Sequence, residues 1–371
     1  MTEQSTEWSY KRRSEAENGN SVRLSSTSGR HLAAIIPSKG GPSSIEHRPT
    51  PTPGPNDLLI EVKAIALNPI DHYQRDLGFP ALAGYPAIVG SDIAGTVLSA
   101  GSSVPADAPK PGTRVCAFAA AFFYQGAPDY GALQERVLVP AVNAVPLPDG
   151  MSFKEASILP MSVVTTWSGL YSIGIPRDTA YTPADKQGML VWGGASSVGS
   201  GALQVAKLLG FSVYVTASEK HHSYLKSLGA TRVFDYHSDD VVASIVKAAK
   251  EDGVAIKTGY VAVGSLQQCL DVLKEFKGDG MAKLASAPRL SPEAPKVDGI
   301  EVKFVMGPLG EEARTEHVHF IFHDWLKEKL DTGMFVPSPQ IKVVEGGLLS
   351  ANKALDEMKQ GISGTKLVLE V

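Results

Sequence analysis

The segment Met189 to Gly210, MLVWGGASSVGSGALQVAKLLG, restricts what this chain can fold into more than any other stretch. A short apolar run, Met189 to Trp192, enters a turn of small residues, Gly193 to Gly199. An apolar-periodic run, Ala202 to Leu209, leaves it. This order reads as strand, tight turn and helix. Backbone N–H groups at the start of such a helix lie open to a phosphate, and the helix dipole favours an anion there. The pattern points to the phosphate corner of a dinucleotide-binding sheet, and so to a nicotinamide cofactor. Read as GxGxxG, the motif runs from Gly194 to Gly199 and carries Ser196 where the middle glycine belongs. Serine is small enough for close approach, and its hydroxyl can bond a phosphate. Ser197 and Val198 complete the candidate cradle.

The surrounding pattern agrees with this reading. Between residues 162 and 325, strands alternate with helices. Candidate strands are Met189–Trp192, Ser212–Thr216, Arg232–Phe234, Tyr260–Val263, Ala282–Ala285 and Val302–Met306. Six is the number expected of two mononucleotide-binding halves. Helical spacing marks Ala202–Leu209, His222–Leu228, Asp240–Lys250 and Leu266–Phe276, with Gly210 and Gly229 placed to stop helices. Residues 30–161 read instead as short strands broken by Gly and Pro: Leu32–Ile36, Leu58–Leu67, Ile93–Ala100, Thr113–Phe118 and Gln134–Val139. Residues 326–371 carry a helix, Leu349–Met358, and a last strand, Lys366–Glu370. This tail is expected to rejoin the first region. The fold class is therefore α/β: a β domain from 30–161 and 326–371, and a doubly wound parallel sheet from 162–325.

Composition narrows the partners. With 371 residues, 43% of them hydrophobic, the chain can bury two cores. A net charge of −4 argues against a nucleic-acid partner. No apolar run approaches the ~20 residues that span a bilayer, so no membrane partner is expected. Cys116 and Cys269 lie far apart and make neither a disulfide framework nor a zinc-ligand cluster; both are expected to be buried apolar residues. Residues 1–29, rich in Ser, Glu, Asn, Thr and Arg, read as a disordered tail. They lack a signal peptide's apolar core, and Glu3, Glu7, Glu15 and Glu17 are unlike a mitochondrial presequence, so a cytoplasmic location is expected.

Four local strings then carry a family resemblance. Asn68-Pro69-Ile70-Asp71-His72-Tyr73-Gln74-Arg75 resembles the NPxDxYxR segment of quinone-reductase-type medium-chain dehydrogenases/reductases. Pro86 to Gly95 resembles their P-x-x-x-G-x-D-x-x-G strand turn, Tyr130 to Glu135 their G-A-x-x-E, and Gly193 to Gly199 their G-G-A-x-x-V-G. The strings stand in the family's order and cover about residues 30–371. The resemblance is strongest to the zinc-independent branch, and within it to fungal trans-acting enoyl reductases. It implies a GroES-like β domain beside the Rossmann sheet. It also implies reduction of an activated C=C bond, in an enoyl thioester or enone, in secondary metabolism. Zinc-dependent members carry Cys-His-x-Asp and Gly-His-Glu strings; here Asn68 opens the first and Gly90-Ser91-Asp92 replaces the second. Asp71, Asp92 and His72 are the only candidate donors and the thiolate is missing, so no zinc is expected.

The second strand ends in Ser218, with Lys220 shortly after, where NAD-preferring folds usually place a carboxylate. A hydroxyl and an ammonium suit a 2′-phosphate, so NADPH is expected; Glu219 keeps NADH open. The resemblance adds Tyr236 near the adenosine phosphate. Met306 and Gly307, at the end of the sixth strand, are positioned to hold the carboxamide through their backbone.

For catalysis, the resemblance puts Asn68 and Asp71 at the start of a turn edging the cleft, and Thr165 near the nicotinamide amide. Tyr73 is the best candidate to donate a hydrogen bond to a developing enolate oxygen. Phe122 and Tyr124 are read as walls of an apolar substrate pocket. His317, His319 and His323 lack acidic or cysteine partners at zinc-like spacing and read as surface residues. The expected partner is a small-molecule substrate or a carrier-bound acyl chain, acted on by a monomer or homodimer. A quinone or carbonyl reductase, and a non-catalytic NADPH-binding scaffold, are the alternatives.

Overall fold

In the computed structural model, which describes residues 29–80 and 82–371, Gln187–Trp192 runs inside a six-stranded parallel sheet. Its spatial order is Arg232–Phe234, Ser212–Thr216, Gln187–Trp192, Ala255–Val261, Ala282–Ser286 and Ile300–Phe304. Every pairing is parallel. In chain order this is 3-2-1-4-5-6, the doubly wound arrangement. The order reverses between Gln187–Trp192 and Ala255–Val261, and ligands of such sheets bind in the crevice beyond the carboxyl ends at that point.

Alternation along the central strand explains the two layers of helices. Met189 and Val191 join a core with Trp167, Leu170, Leu203 and Ala206; Leu190 and Trp192 join another with Ile245, Leu270 and Leu273. The strand is buried on both faces, which is why it reads as an unbroken apolar run. The helix Pro160–Ser172 lies close against the sheet through Gly169: a Cβ there would sit 2.4 Å from the Tyr260 ring. The buried Tyr260 hydroxyl donates to the Thr165 carbonyl at 2.7 Å.

A second sheet holds Gln340–Val343, Thr365–Glu370, Asp57–Ala66, Asp92–Ala100, Arg114–Phe118 and Ala144–Pro146 in that order, with Arg136–Pro140 also paired to Asp57–Ala66. Thr365–Glu370 pairs antiparallel with Asp57–Ala66, Val368 opposite Ala66, so the end of the chain returns to a strand formed near its beginning. Arg30–Ile35 and Ser44–Pro49 form a separate two-stranded sheet.

Several boundaries differ from the sequence reading. Ser44–Pro49, Ala144–Pro146 and Gln340–Val343 are strands that the alternation did not reveal. The fourth strand of the parallel sheet starts earlier, at Ala255, and the sixth ends at Phe304. Neighbouring strands decide these ends: the last ladder bond of the sixth strand is Val305 N–H to Ser286 O at 2.9 Å. Met306 and Gly307 therefore lie beyond the strand. The tail proposed for residues 1–29 falls, apart from Gly29, outside the described residues. Cys116 and Cys269 are fully buried and unpaired, and burial pushes both thiols up. Among the described residues, no helix is long and apolar enough to cross a membrane.

Candidate active site

The glycine turn is dictated by contact distances. Gly193 has φ +81°, a Cβ on Gly194 would lie 2.1 Å from Val215 Cγ1, and one on Gly199 would lie 2.2 Å from the Gly193 carbonyl oxygen. No side chain fits at these positions. Ser196 caps the helix Ser197–Leu208: its hydroxyl accepts from Gly199 N–H at 3.1 Å and donates to Gly193 O at 2.8 Å. In this structure the hydroxyl expected to bond a phosphate serves as the helix cap. Ser197 Oγ is different. It is buried without a partner among the described residues, at a helix end where the first N–H groups have no intrahelical acceptor. An unpartnered buried hydroxyl costs about 1–3 kcal/mol. Oxygens of a dinucleotide pyrophosphate would satisfy it together with the Ser197 and Val198 N–H groups, so the residues here fit such a cofactor.

At the end of the neighbouring strand, Ser218 Oγ donates to the Tyr236 hydroxyl at 3.3 Å. The fold thus brings together two residues eighteen positions apart. Lys220 and Glu219 are both exposed in the short turn that follows. Met306 is exposed, and Gly307 sits beside Ser168 and His317. The surface reading of His317 is corrected: it is buried, 3.3 Å from both Ser168 Oγ and an Arg177 nitrogen. Burial, then the Arg177 charge, depress its pKa to about 4.

On the substrate side, Asn68 and Asp71 open a helix, Pro69–Leu77, and not a turn. Asn68 N–H donates to Asp71 Oδ2 at 2.8 Å, half of a capping box, and Pro69 occupies the first helical position. Asn68 Nδ2 donates to Asp92 Oδ2 at 2.9 Å, and Lys366 Nζ donates to Asn68 Oδ1 at 2.6 Å. The same ammonium lies 3.2 Å from Asp92 Oδ2, while Asp92 Oδ1 accepts from Met161 N–H at 2.6 Å. Asn68, Asp71, Asp92 and Lys366 are all buried. This network ties the helix bearing Tyr73 to the helix bearing Thr165 through two strands of the second sheet. Burial pushes Asp92 up, against the pull of Lys366 and Asn68. Asp71 is pushed up to about 7, first by burial, and its Oδ1 has no partner.

Asn68 and Asp71 are thus buried and hydrogen-bonded within the protein. Tyr73 is 43% exposed, its ring 4.2 Å from that of His72. Thr165 is half-buried. Sequence reasoning missed Lys366; its one signal was a lysine opening the apolar run Leu367-Val368-Leu369. Phe122 and Tyr124 are exposed, and Tyr124 stacks on Tyr130 at 3.9 Å. Phe123, between them, carries the longer-range contact: the Arg314 guanidinium lies over its ring at 5.1 Å.

The donors present do not fit a catalytic zinc. Where zinc-dependent members of the family present cysteine and histidine, this chain has Asn68 and Ser91, and Asn68 and Asp92 already hold an ammonium. Among the described residues, no group of three or more His, Cys, Asp or Glu side chains could hold a metal ion. A catalytic zinc takes about three such ligands.

Residues 54–149 match the family described as Alcohol dehydrogenase GroES-like domain, and residues 197–279 the one described as Zinc-binding dehydrogenase. With the doubly wound sheet and the GroES-like sheet, these define an oxidoreductase: the chain belongs to the medium-chain dehydrogenase/reductase superfamily. It is 50% identical over 340 residues to the trans-enoyl reductase tndF of Aspergillus flavipes, covering 91% of this chain and 98% of that one. It is 52% identical over 287 residues to the trans-enoyl reductase tazE of Aspergillus terreus, covering 77% and 95%. Among solved structures, it is similar to a quinone oxidoreductase from Pseudomonas syringae, with TM-score 0.69, 26% identity and coverage of 91% and 99%. An alcohol dehydrogenase superfamily protein from Novosphingobium aromaticivorans shares the fold, with TM-score 0.74, 22% identity and coverage of 92% and 99%.

Proposed function

We propose that this chain is a zinc-independent, NADPH-dependent reductase of an activated C=C bond, its substrate an enoyl thioester or enone. The observation that carries this reading is the Lys366 ammonium bound to Asn68 and Asp92. With those donors occupied, no group among the described residues is set to hold the Lewis acid that would stabilise an alkoxide, which favours alkene reduction over alcohol oxidation. Reduction of a conjugated alkene asks less of the protein, since the carbonyl oxygen needs only a hydrogen-bond donor while charge develops on it. The trans-enoyl reductase relatives support the same substrate class.

When bound, the dinucleotide supplies the hydride. The Ser197–Leu208 helix start would hold its pyrophosphate, and Ser218, Tyr236 and Lys220 would bind the 2′-phosphate. Tyr73 donates to the enolate oxygen, and the buried network holds Tyr73 and Thr165 in register. Hydride addition leaves an enolate, and protonation of its α-carbon, by water or by a side chain, completes the reduction. A quinone substrate is the second reading, favoured by the likeness to the Pseudomonas syringae quinone oxidoreductase.

A thermal-shift titration with NADPH and NADH in parallel tests the cofactor, because a ligand of the native state raises the apparent midpoint. NADPH is expected to stabilise more strongly than NADH. Lys220→Ala is expected to weaken NADPH about tenfold, the size of one charge-assisted contact, with little change for NADH. Equal shifts for the two cofactors would overturn the assignment. Tyr73→Phe is expected to lower kcat on an enone by about tenfold to a hundredfold while NADPH still binds. Unchanged kcat would remove Tyr73 from the chemistry.

A further inference from the structure

We propose that Arg289 and Lys39, whose side chains both reach the Gly78–Phe79 turn, form a phosphate-binding subsite that takes the phosphate of a phosphopantetheine arm. The inference rests on the enoyl-thioester reading above and names how that substrate is held. Arg289 follows the carboxyl end of Ala282–Ser286, on the ligand-binding edge of the parallel sheet. Its guanidinium lies 5.2 Å over the ring of Phe79, just past Gly78, the C-cap of the helix that bears Tyr73. This contact joins the cofactor-binding sheet to the substrate-side helix. Lys39 reaches the preceding residue of the same turn. Its side chain and the Tyr85 hydroxyl crowd Gly78, so a Cβ there would come within 3.5 Å of the lysine and 3.1 Å of the hydroxyl.

Arg289 and Lys39 are exposed, and among the described residues neither is paired with a carboxylate. The nearby acid, Asp76, is already neutralised by Arg75 at 2.7 Å and Lys359 at 3.0 Å. Phe79, Tyr85 and Leu77 add an exposed apolar surface beside the cations. Such a surface suits the uncharged pantetheine portion, while a guanidinium over an aromatic ring keeps N–H donors for a phosphate. The other arginine that reaches across to the second sheet's aromatic loop, Arg314, does not offer the same chemistry. Its helix, Glu311–His319, also carries exposed Glu311, Glu312 and Glu316, which repel a phosphate. The charge asymmetry orients the arm toward Phe79.

The test compares crotonyl-4′-phosphopantetheine with crotonyl-pantetheine, two thioesters that differ only in the phosphate. Wild-type protein is expected to show a KM about tenfold lower for the phosphorylated substrate, as one or two charge-assisted contacts give. In the Arg289→Ala, Lys39→Ala double variant that ratio is expected to fall to about one, with Arg289→Lys retaining part of it. A ratio does not depend on how much of the variant folds. A wild-type ratio near one, or a ratio that survives both substitutions, overturns the subsite while leaving the reductase reading standing. Turnover of neither thioester overturns the enoyl-thioester reading and the subsite with it. Crotonyl-coenzyme A and a crotonyl-loaded carrier protein, run alongside, separate the two sources of the phosphate. The form whose kcat/KM falls further in the double variant is the one served, and a fall in either supports the subsite.

Discussion

Lys366→Met is expected to destabilise the protein by about 3–5 kcal/mol, the cost of stranding a buried charge. Asp92 is fully buried, and Lys366 is the cation that faces it, at 3.2 Å. Methionine matches the lysine stem in length but leaves the Asp92 carboxylate with two hydrogen-bond donors, Asn68 Nδ2 and Met161 N–H, and no positive charge. It also orphans Asn68 Oδ1. Adding Asp92→Asn removes the stranded charge, so the double variant is expected to recover most of the loss. Urea unfolding of the two single variants and the double variant measures this directly. If Lys366→Met lies within about 1 kcal/mol of wild type, the network is not what holds the two helices together. The same variant is expected to lower kcat, because the helices that carry Tyr73 and Thr165 lose their common anchor.

The second large effect concerns pH. Burial pushes the Asp71 carboxyl from its usual 3.8 up to about 7 in the folded protein. Between those values the native state binds a proton that the unfolded chain has released. Stability from this group is therefore fully present below about pH 4, declines as pH rises, and is gone above about pH 7. The slope within that window is about 1.4 kcal/mol per pH unit at most, and the sum is on the order of 2–4 kcal/mol. Asp71→Asn keeps an acceptor for the Asn68 N–H and cannot titrate. The variant is expected to gain on wild type from about pH 4 to about pH 7 and then level off, read as the difference between their urea midpoints. A difference that does not change with pH would mean that Asp71 is ionised throughout.

How far the site could be read from the sequence differs from one half to the other. The cofactor half is local. Gly193, Gly194, Ser196 and Gly199 sit within seven residues, and each has a steric or capping reason that neighbouring atoms supply. Small residues between a strand and a helix therefore announced the turn. The substrate half is non-local. Asn68 meets Lys366 across nearly the whole chain, and Asp92 meets Met161 across 69 positions. No periodicity links such residues. Asn68 and Asp71 read as turn residues because Asx side chains serve turns and helix caps alike. Only the helix that follows distinguishes the two. His317 read as a surface residue because its short helix is polar along most of its length; packing against Ser168 and Tyr171 buries it.

The class of fold, the six strands of the parallel sheet and the phosphate turn were legible from the sequence, because they follow from short-range periodicity and from glycines that admit no side chain. Tertiary contacts decided which polar side chains are buried in a network and which stay exposed. Ser196 caps its helix, Asn68 and Asp71 lie in the interior, and the Lys366 ammonium sits between Asn68 and Asp92. The physical reason is burial. Whether a charged or polar group serves chemistry or architecture depends on what removes it from water, and those neighbours come from distant parts of the chain.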